Sequence, residues 1–312
     1  MKRVIITGAT GVVGVALTEY CIHNDVKVTA VVRPDSENLY RLPEDNTLDI
    51  IECDLNNIDR LPSLLDGKFD VFYHLGWAAK GRYNRNNAVL QAYDIRHTLA
   101  SVKAAKEIGC EAFIGAGSQA EYGRVNHAIE ANMPTNPDNA YGVAKYAAGK
   151  LSSILCQDFG IRHIWARIFS VYGPWDNRDT MIMYAVERLM ESQKPLFTKC
   201  EQIWDYLYTT DAARALFLLG LKGVNGTTYN IGSGKALPLI DYIEIIREKV
   251  NPAIEIGVGV KAYSEKEVMH LCADITNLTA DTGFTPEISF EDGIRKTIEW
   301  FRFNNSVNHI PK

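Results

Sequence analysis

Glycines at positions 8, 11 and 14 follow a short apolar run and precede a segment of helical character. In such a loop Gly8 allows a tight turn, Gly11 lets the backbone approach a pyrophosphate, and Gly14 lets the helix pack closely on the strand. The N-terminus of the helix then offers free N–H groups to phosphates. The spacing is GxxGxxG, not the usual GxGxxG. It predicts a dinucleotide site, against the alternative of a tight turn without a ligand, formed by Gly8, Thr10, Gly11, Val12, Val13 and Gly14.

Strands and helices alternate through the first half of the chain. The apolar and β-branched runs predict strands at 3–7, 26–32, 48–52, 70–75, 111–116 and 161–168, with long helices at about 87–108 and 139–159. Strands that alternate with helices of this length form βαβ units and a parallel sheet. We therefore predict an α/β fold with a doubly wound parallel sheet of the Rossmann type for residues 1–170. Residues 171–312 are predicted to form a smaller C-terminal substrate-binding region, with some segments returning to the sheet.

Composition and charge exclude several classes of protein. The 312 residues carry a net charge of −5, which argues against a nucleic-acid partner because such binding relies on clustered Lys and Arg. No run of 18 apolar residues is present, so no membrane-spanning segment is expected. The six cysteines are scattered without a CxxC pair. This spacing predicts no metal site and suits a reducing compartment, which makes the cytoplasm the expected location.

The residues after the second and third strands bear on the choice of dinucleotide. An NAD site commonly has a carboxylate after the second strand, and an NADP site has an arginine there. Arg33 favours NADP(H), whereas Asp35 and Glu37 close by leave NAD(H) open. After the third strand, Asp54 is either an acceptor for the adenine amino group or the N-cap of the next segment.

Tyr141 and Lys145 lie four residues apart on a predicted helix, and therefore on one face of it. A lysine close to a tyrosine favours the phenolate, so we expect a lowered pKa for Tyr141 and a role in proton transfer. Ser118 ends the fifth predicted strand, at the sheet edge where open α/β folds bind ligands. The alternative for the YxxxK spacing alone is an ordinary amphipathic helix.

Together these motifs resemble the extended short-chain dehydrogenases, the NAD-dependent epimerase/dehydratase family, which acts mostly on nucleotide sugars. The resemblance covers nearly the whole chain. Besides the glycine loop and Tyr141 to Lys145, it rests on His74-Leu75-Gly76-Trp77, Ser118 four residues before Tyr122-Gly123, Arg167-Ile168-Phe169-Ser170-Val171-Tyr172-Gly173-Pro174, Trp204-Asp205-Tyr206, and Tyr229-Asn230-Ile231-Gly232.

The resemblance implies a role for each matching residue. Tyr141 is the implied acid/base, Lys145 tunes it and holds the nicotinamide ribose, and Ser118 binds the reacting oxygen of the sugar. For Trp77, a place beside the nicotinamide or sugar and a place in the core are both open. The further cofactor contacts that we predict are Arg33, Asp54, Leu55, Leu75, Gly76, Trp77 and Ile168. Family members often form homodimers through the two long helices, which predicts a homodimer here.

Departures from the family pattern narrow the function. Family dehydratases usually carry Thr-Asp-Glu where this chain has Ser118-Gln119-Ala120, so we argue against a dehydratase and expect Gln119 to orient the substrate. The family often has an asparagine where Ser170 stands and another in the helix after the fourth strand, where Asp94 or a neighbour replaces it.

The substrate-binding side departs as well. The segment 261–274 lacks the arginine that often grips the nucleotide diphosphate, and Lys261, Lys266 or His270 are candidate substitutes. Arg178 is either a phosphate contact or a surface charge, and Trp204 is expected to line the substrate side.

The sequence therefore favours a nucleotide-sugar oxidoreductase, for which two reactions are considered. The first is an NAD(P)-dependent nucleotide-sugar 4-epimerase with a Ser-Tyr-Lys site. The second is a 4-ketoreductase that consumes NADPH. The alternatives are an NADP-dependent reductase of a non-nucleotide ketone or aldehyde, and a non-catalytic NADP-binding regulator.

Overall fold

The computed structural model describes residues 1–79, 84–265 and 267–306. Its strands are β1 (Arg3–Thr7), β2 (Lys27–Val32), β3 (Leu48–Glu52), β4 (Val71–His74), β5 (Ala112–Ser118), β6 (Arg162–Ile168), β7 (Ser170–Tyr172), β8 (Ile203–Tyr208), β9 (Thr227–Ile231), β10 (Ala236–Pro238) and β11 (His270–Leu271). Its α-helices are α1 (Val12–His23), α2 (Ala88–Ile108), α3 (Ala140–Phe159), α4 (Met181–Met190), α5 (Thr209–Lys222), α6 (Leu239–Val250), α7 (Thr276–Thr282) and α8 (Phe290–Ser306).

Seven parallel strands form the main sheet in the order β3-β2-β1-β4-β5-β6-β9. This order confirms the predicted doubly wound sheet of the Rossmann type. The chain reverses direction across the sheet between β1 and β4, and ligands of open α/β sheets bind at the carboxyl ends of the strands beside such a point. The glycine loop after β1 and the segment after β4 both lie there. Further along the sheet, Ser118 at the end of β5 is in register with Ile168 at the end of the neighbouring strand β6.

Each face of the sheet is covered by its own helices and its own apolar core. Helices α1 and α5 pack together on one face, and α2 and α3 pack together on the other. Buried apolar side chains drive this layering at about 25 cal/mol per Å² of surface removed from water. The six cysteines are unpaired, and five of them are buried. Cys21 belongs to the first core and Cys53, Cys110 and Cys156 to the second, whereas Cys200 belongs to a third core in the C-terminal region.

The C-terminal region is built around a second, small sheet that the sequence analysis did not predict. Strand β8 is its centre and pairs with β7, β10 and β11. Helices α4, α6 and α8 cover it through an apolar cluster rich in aromatic rings. Asp205 of β8 is fully buried and accepts hydrogen bonds from the backbone N–H groups of Ser233, Gly234 and Ala273. This carboxylate thereby ties the segments before β10 and after β11 to β8.

The division at residue 170 remains a proposal. Strand β9 lies beyond that residue and completes the main sheet beside β6. Within the ranges that the structure describes, no helix is long and apolar enough to cross a membrane. Over the same residues, no group of three or more His, Cys, Asp or Glu side chains is arranged to hold a metal ion.

Candidate active site

The glycine loop has the shape that a dinucleotide site needs. Gly8 has a φ of +71°, and a Cβ there would lie 2.8 Å from the backbone of Leu75 and Gly76. A Cβ at Gly14 would lie 2.2 Å from the Gly8 carbonyl oxygen. Gly11 is the N-cap of α1 and supplies no side chain to its first turn. The N–H groups of Val12, Val13 and Gly14 therefore lack a side-chain cap and are suited to hold a pyrophosphate.

Two arginines bear on the choice of dinucleotide, of which the sequence analysis predicted one. Arg33 is exposed and follows the last residue of β2, as the prediction required. Arg41 was missed because it is eight residues further along, in a 3₁₀ helix over Leu39–Arg41. Its guanidinium donates to the Thr10 carbonyl at 3.3 Å and lies 5.4 Å from the centre of the Trp175 ring. It therefore places a second positive charge beside the glycine loop.

Asp54 caps the 3₁₀ helix Leu55–Leu64, accepting a hydrogen bond from the Asn56 N–H at 2.9 Å. This is the N-cap that the sequence analysis weighed, and the adenine contact stays a prediction. The adjoining Leu55 methyl groups would meet a Cβ at Gly76, which places this segment against the loop after β4. Both predicted cofactor contacts, Leu55 and Gly76, are thus neighbours.

Asp94 of α2 is buried and accepts hydrogen bonds from the start of the loop after β4. Its carboxylate accepts hydrogen bonds from the backbone N–H groups of Ala78 and Ala79, each at 2.9 Å. It also pairs with His97 at 3.1 Å, whose other ring nitrogen meets Asn56 at 3.0 Å. Despite burial, these interactions lower the pKa of Asp94. Asp94 therefore links the segments after β3 and β4.

His74 ends β4 and is held by hydrogen bonds inside the protein. Its two ring nitrogens form hydrogen bonds with the hydroxyl groups of Thr7, at 2.9 Å, and Thr98, at 3.3 Å. Burial, helped by the charge of Lys145, lowers its pKa to about 3, so the imidazole is neutral. The Thr7 hydroxyl also accepts from the Gly76 N–H at 3.3 Å, which fixes the loop that continues to Trp77.

Ser118 ends β5 and is the N-cap of a short 3₁₀ helix, Gln119–Glu121. Its hydroxyl accepts from the Ala120 N–H at 3.2 Å, and its own N–H donates to the Glu121 carboxylate at 2.8 Å. Glu121 is fully buried and forms an ion pair of 2.6 Å with Arg167. The Ser-x-x-Glu spacing is a capping-box signature that the sequence analysis overlooked. Glu121 points into the core, and the sheet edge is left to Ser118 and Gln119.

Tyr141 and Lys145 occupy one face of α3, beside Ser118. The Lys145 ammonium donates to the Ala116 carbonyl at 2.7 Å and lies 3.8 Å from the centre of the Trp77 ring. The Trp77 indole is buried and meets the Tyr141 ring edge-on at 6.0 Å, and its contact with the nicotinamide or sugar stays a prediction. Burial raises the pKa of Tyr141, although interaction with Ser118 lowers it. The expected lowering of this pKa is therefore wrong, because burial outweighs the interactions that favour the phenolate.

Trp165 of β6 fills the space between β5 and α3. A Cβ at Gly115 would lie 2.3 Å from its ring, and Cβ atoms at Gly117 and Gly149 would lie 2.4 and 2.6 Å from it. The indole N–H donates to Glu121 at 2.9 Å. Since β5 carries Ser118 and α3 carries Tyr141, this ring sets the separation of the two elements that bear the site.

The predicted substrate residues do not all lie together. Gln119 adjoins Ser118, and Trp204 of β8 packs against the cluster that contains Tyr122 and donates to the Ser170 hydroxyl at 2.8 Å. Arg178 instead pairs with Glu187 of α4 at 2.9 Å and lies over a ring of α8. Its partners are on elements that carry none of the Ser-Tyr-Lys residues, and its phosphate contact stays a prediction.

The proposed substitutes for the missing C-terminal arginine are also dispersed. Lys261 lies 4.6 Å from the centre of the Tyr184 ring, and His270 starts β11 with a buried Nδ1 that has no protein partner. Lys266 lies outside the described residues. Of the described candidates, Lys261 therefore lies against α4 and His270 lies on β11.

Comparison with known proteins decides the family. The profile of the NAD dependent epimerase/dehydratase family matches residues 4–232. The chain belongs to this family. The predicted extended short-chain dehydrogenase type, an enzyme that uses a nicotinamide dinucleotide, is thereby confirmed, and the place of the dinucleotide at the glycine loop stays a prediction.

Individual relatives are distant but cover the whole chain. An uncharacterized UDP-glucose epimerase, YtcB of Bacillus subtilis, is 26% identical over 96% of this chain and 97% of its own length. A dTDP-glucose 4,6-dehydratase of Haemophilus influenzae is 24% identical over 98% of this chain and 99% of its own. Among solved structures, a UDP-N-acetylglucosamine 4-epimerase from Methanobrevibacter ruminantium M1, in complex with UDP-N-acetylmuramic acid, superposes with a TM-score of 0.87 at 23% identity, covering 97% and 99% of the two chains.

Proposed function

We propose that this family member is an NAD(P)-dependent 4-epimerase of a nucleoside-diphosphate sugar. The observation that carries the proposal is the meeting of Ser118, Tyr141 and Lys145 at the sheet edge, next to the glycine loop. Relatives that span the chain include both epimerases and dehydratases. The choice between them therefore rests on the side chains at this edge.

The carboxyl groups of a dehydratase are absent from the position where the family carries them. Gln119 and Ala120 stand there, and neither residue can act as a carboxylic acid or base. The nearest carboxylate in the sequence, Glu121, is fully buried and engaged by Arg167 and by the Ser118 N–H. A side chain held in this way is not available to protonate a departing hydroxyl, which supports epimerisation over loss of water.

Each residue of the site has a part in this reaction. The Ser118 hydroxyl binds the hydroxyl group on the sugar carbon that reacts. The Tyr141 phenolate removes the proton of this sugar hydroxyl. A nicotinamide dinucleotide held at the glycine loop would supply the hydride chemistry at the same carbon, and return of the hydride to the opposite face would invert that centre. Tyr141 then returns the proton to the ketone oxygen. Lys145 holds the ribose hydroxyl groups and adds positive charge near the phenol.

A 4-ketoreductase is the second candidate, and two side chains favour it. Arg33 is exposed at the end of β2, and Arg41 reaches the glycine loop. Both can meet the 2′-phosphate that distinguishes NADP from NAD. An epimerase returns its hydride and can keep its dinucleotide, whereas a reductase consumes it.

The homodimer is a further part of the proposal. Helices α2 and α3 expose apolar side chains to solvent, among them Val89, Tyr93, Val143 and Ile154, each more than half exposed. Helices α2 and α3 also pack on each other, so their outer faces form one surface. A second copy that presents the same two helices would cover it.

The test combines cofactor identity with product analysis. Dinucleotide released from acid-quenched protein is identified by mass spectrometry, and UDP-glucose, UDP-N-acetylglucosamine and dTDP-glucose are then incubated with the enzyme. The proposal expects C4-inverted product without net consumption of cofactor, formed at least about 100-fold more slowly by Tyr141→Phe. Net oxidation of NADPH on a 4-keto sugar would establish the reductase instead. Formation of a 4-keto-6-deoxy sugar from dTDP-glucose would refute both.

A further inference from the structure

A second cation lies against the tyrosine of the proposed site. The guanidinium carbon of Arg85 is 4.6 Å from the centre of the Tyr141 ring, whereas the Lys145 ammonium is 5.9 Å from it. Lys145 is in addition bonded to the Ala116 carbonyl at 2.7 Å and lies 3.8 Å from the Trp77 ring. Arg85 is thus the nearer of these two cations to the phenol ring.

The backbone around Arg85 is fixed to the site by hydrogen bonds. The Arg85 carbonyl accepts from the Tyr141 N–H at 3.0 Å, and so satisfies one of the free N–H groups at the start of α3. The buried amide of Gln91 donates to the carbonyls of Ala79, at 2.8 Å, and of Asn84, at 3.0 Å. Its oxygen accepts from the Trp77 indole at 2.9 Å. These bonds fix the backbone at Arg85, from which its exposed side chain reaches the Tyr141 ring.

Tyr141 lies among groups that shift the pKa of its phenol in opposite directions. Burial raises the pKa of the phenol, and the carboxylates of Glu121 and Asp94 raise it as well. Interaction with Ser118 and the charge of Arg85 lower it. An arginine remains protonated at every pH at which the protein is folded. Its contribution is therefore constant across the working range of the enzyme.

We propose that Arg85 is a positioning residue of the active site, which holds the Tyr141 ring through its guanidinium and stabilises the ionised phenol. This inference rests on the proposed role of Tyr141 as acid/base. Arg85 acts through Tyr141, and its loss is expected to change the proton-transfer step more than the affinity for substrate.

The ionisation of Tyr141 can be measured without turnover. The full chain, loaded with its dinucleotide, is labelled with [ζ-¹³C]tyrosine, and the Tyr141 resonance is assigned by its absence in Tyr141→Phe. Arg85→Gln should raise the titration midpoint by about one pH unit, the lower end of the effect of a neighbouring opposite charge. Arg85→Lys should raise it less, since a positive charge is kept. Arg60→Gln, at an exposed arginine of the 3₁₀ helix Leu55–Leu64, is the matched control and should not move it.

Kinetics supply the second readout. In Arg85→Gln the acid limb of the kcat/KM profile should move to higher pH by the same amount, with KM nearly unchanged at high pH. A midpoint that is the same in wild type and Arg85→Gln, or a resonance that titrates in neither, overturns the inference. So does a raised KM with an unmoved acid limb, which would make Arg85 a substrate contact. If the midpoint moves but Tyr141→Phe keeps full turnover, the proposed function fails and the role of Arg85 in ionisation stands.

Discussion

Replacing Gly149 by alanine tests whether the Trp165 ring sets the geometry of the active site. Gly149 is on α3, four residues after Lys145 and eight after Tyr141, and so faces the same way. The new Cβ would lie 2.6 Å from the indole, whereas ordinary contact begins at 3.4 Å, so ring or helix must yield by about 0.8 Å. Misplacement of a reacting group by about 1 Å costs on the order of 100-fold in rate. We expect kcat to fall by about that factor.

The stability of this variant should change much less than its activity. Overpacking lowers the free energy of unfolding by about 1–3 kcal/mol, whereas replacing a glycine inside a helix by alanine raises it by about 1 kcal/mol. The folded state therefore persists, and the affinity for the dinucleotide, which we propose to be held mainly at the glycine loop, should stay within a few-fold of wild type. Initial rates at saturating nucleotide sugar, dinucleotide titration and urea unfolding measure the three quantities.

A second substitution provides the control for this experiment. Trp165→Phe removes the five-membered ring that holds Cε2 and Nε1, which are the atoms nearest to the new Cβ. In the double variant the helix can return towards its original position, and kcat should recover at least several-fold over Gly149→Ala alone. Unchanged kcat in Gly149→Ala, or a double variant that is no better than the single one, would refute the role given to the ring.

Three further predictions follow from the described geometry. Tyr141→Phe should lower kcat by about 100- to 10,000-fold, the usual contribution of a general acid/base, while dinucleotide affinity measured by calorimetry is kept. Ile154→Asp puts a charge on the exposed apolar face of α3 and should convert a dimer to a monomer in light scattering, whereas Val260→Asp, at an equally exposed site elsewhere, should not. Burial lowers the pKa of His163 to about 4, whereas the unfolded chain has a His pKa of about 6.5. The neutral His163 ring therefore stabilises the folded state fully above pH 6.5, and this contribution is lost as the pH falls below that value. Between pH 7 and pH 5 the free energy of unfolding should therefore fall by about 2 kcal/mol less in His163→Gln than in wild type, as measured by urea denaturation.

The main sheet could be predicted because buried parallel strands leave a continuous apolar signal. Strand β1 was predicted at the residues where it is found, and β2 and β6 to within one residue. The second sheet could not be predicted in the same way. Its strands have two to six residues, and β8, with its buried Asp205 at the centre, has no simple apolar alternation. Short strands of this kind depend on tertiary pairing more than on local sequence.

The proposed catalytic residues could be identified from their order and spacing in the sequence, whereas the residues that contact and support them could not. Ser118, Tyr141 and Lys145 belong to motifs with fixed positions along the chain. Arg85 comes close to Tyr141 only because the loop before α2 meets the start of α3, and no pattern in the sequence indicates that contact. A glutamine in a helix is expected to be exposed. Gln91 is nevertheless buried, and tertiary hydrogen bonds satisfy its amide group.

The distribution of the cysteines gives the chain a set of internal reporters. Burial raises the pKa of Cys21 and of Cys156 to about 12, so neither thiol reacts at neutral pH until its surroundings open. Cys21 reports on the core beneath α1, Cys156 on the core beneath α3, and Cys200 on the core of the C-terminal region. Because the mass of an alkylated peptide identifies the thiol that reacted, one time course of labelling on the unmodified protein would yield three local opening rates. The order of those rates would say whether the two faces of the sheet and the substrate side unfold as one unit or one at a time.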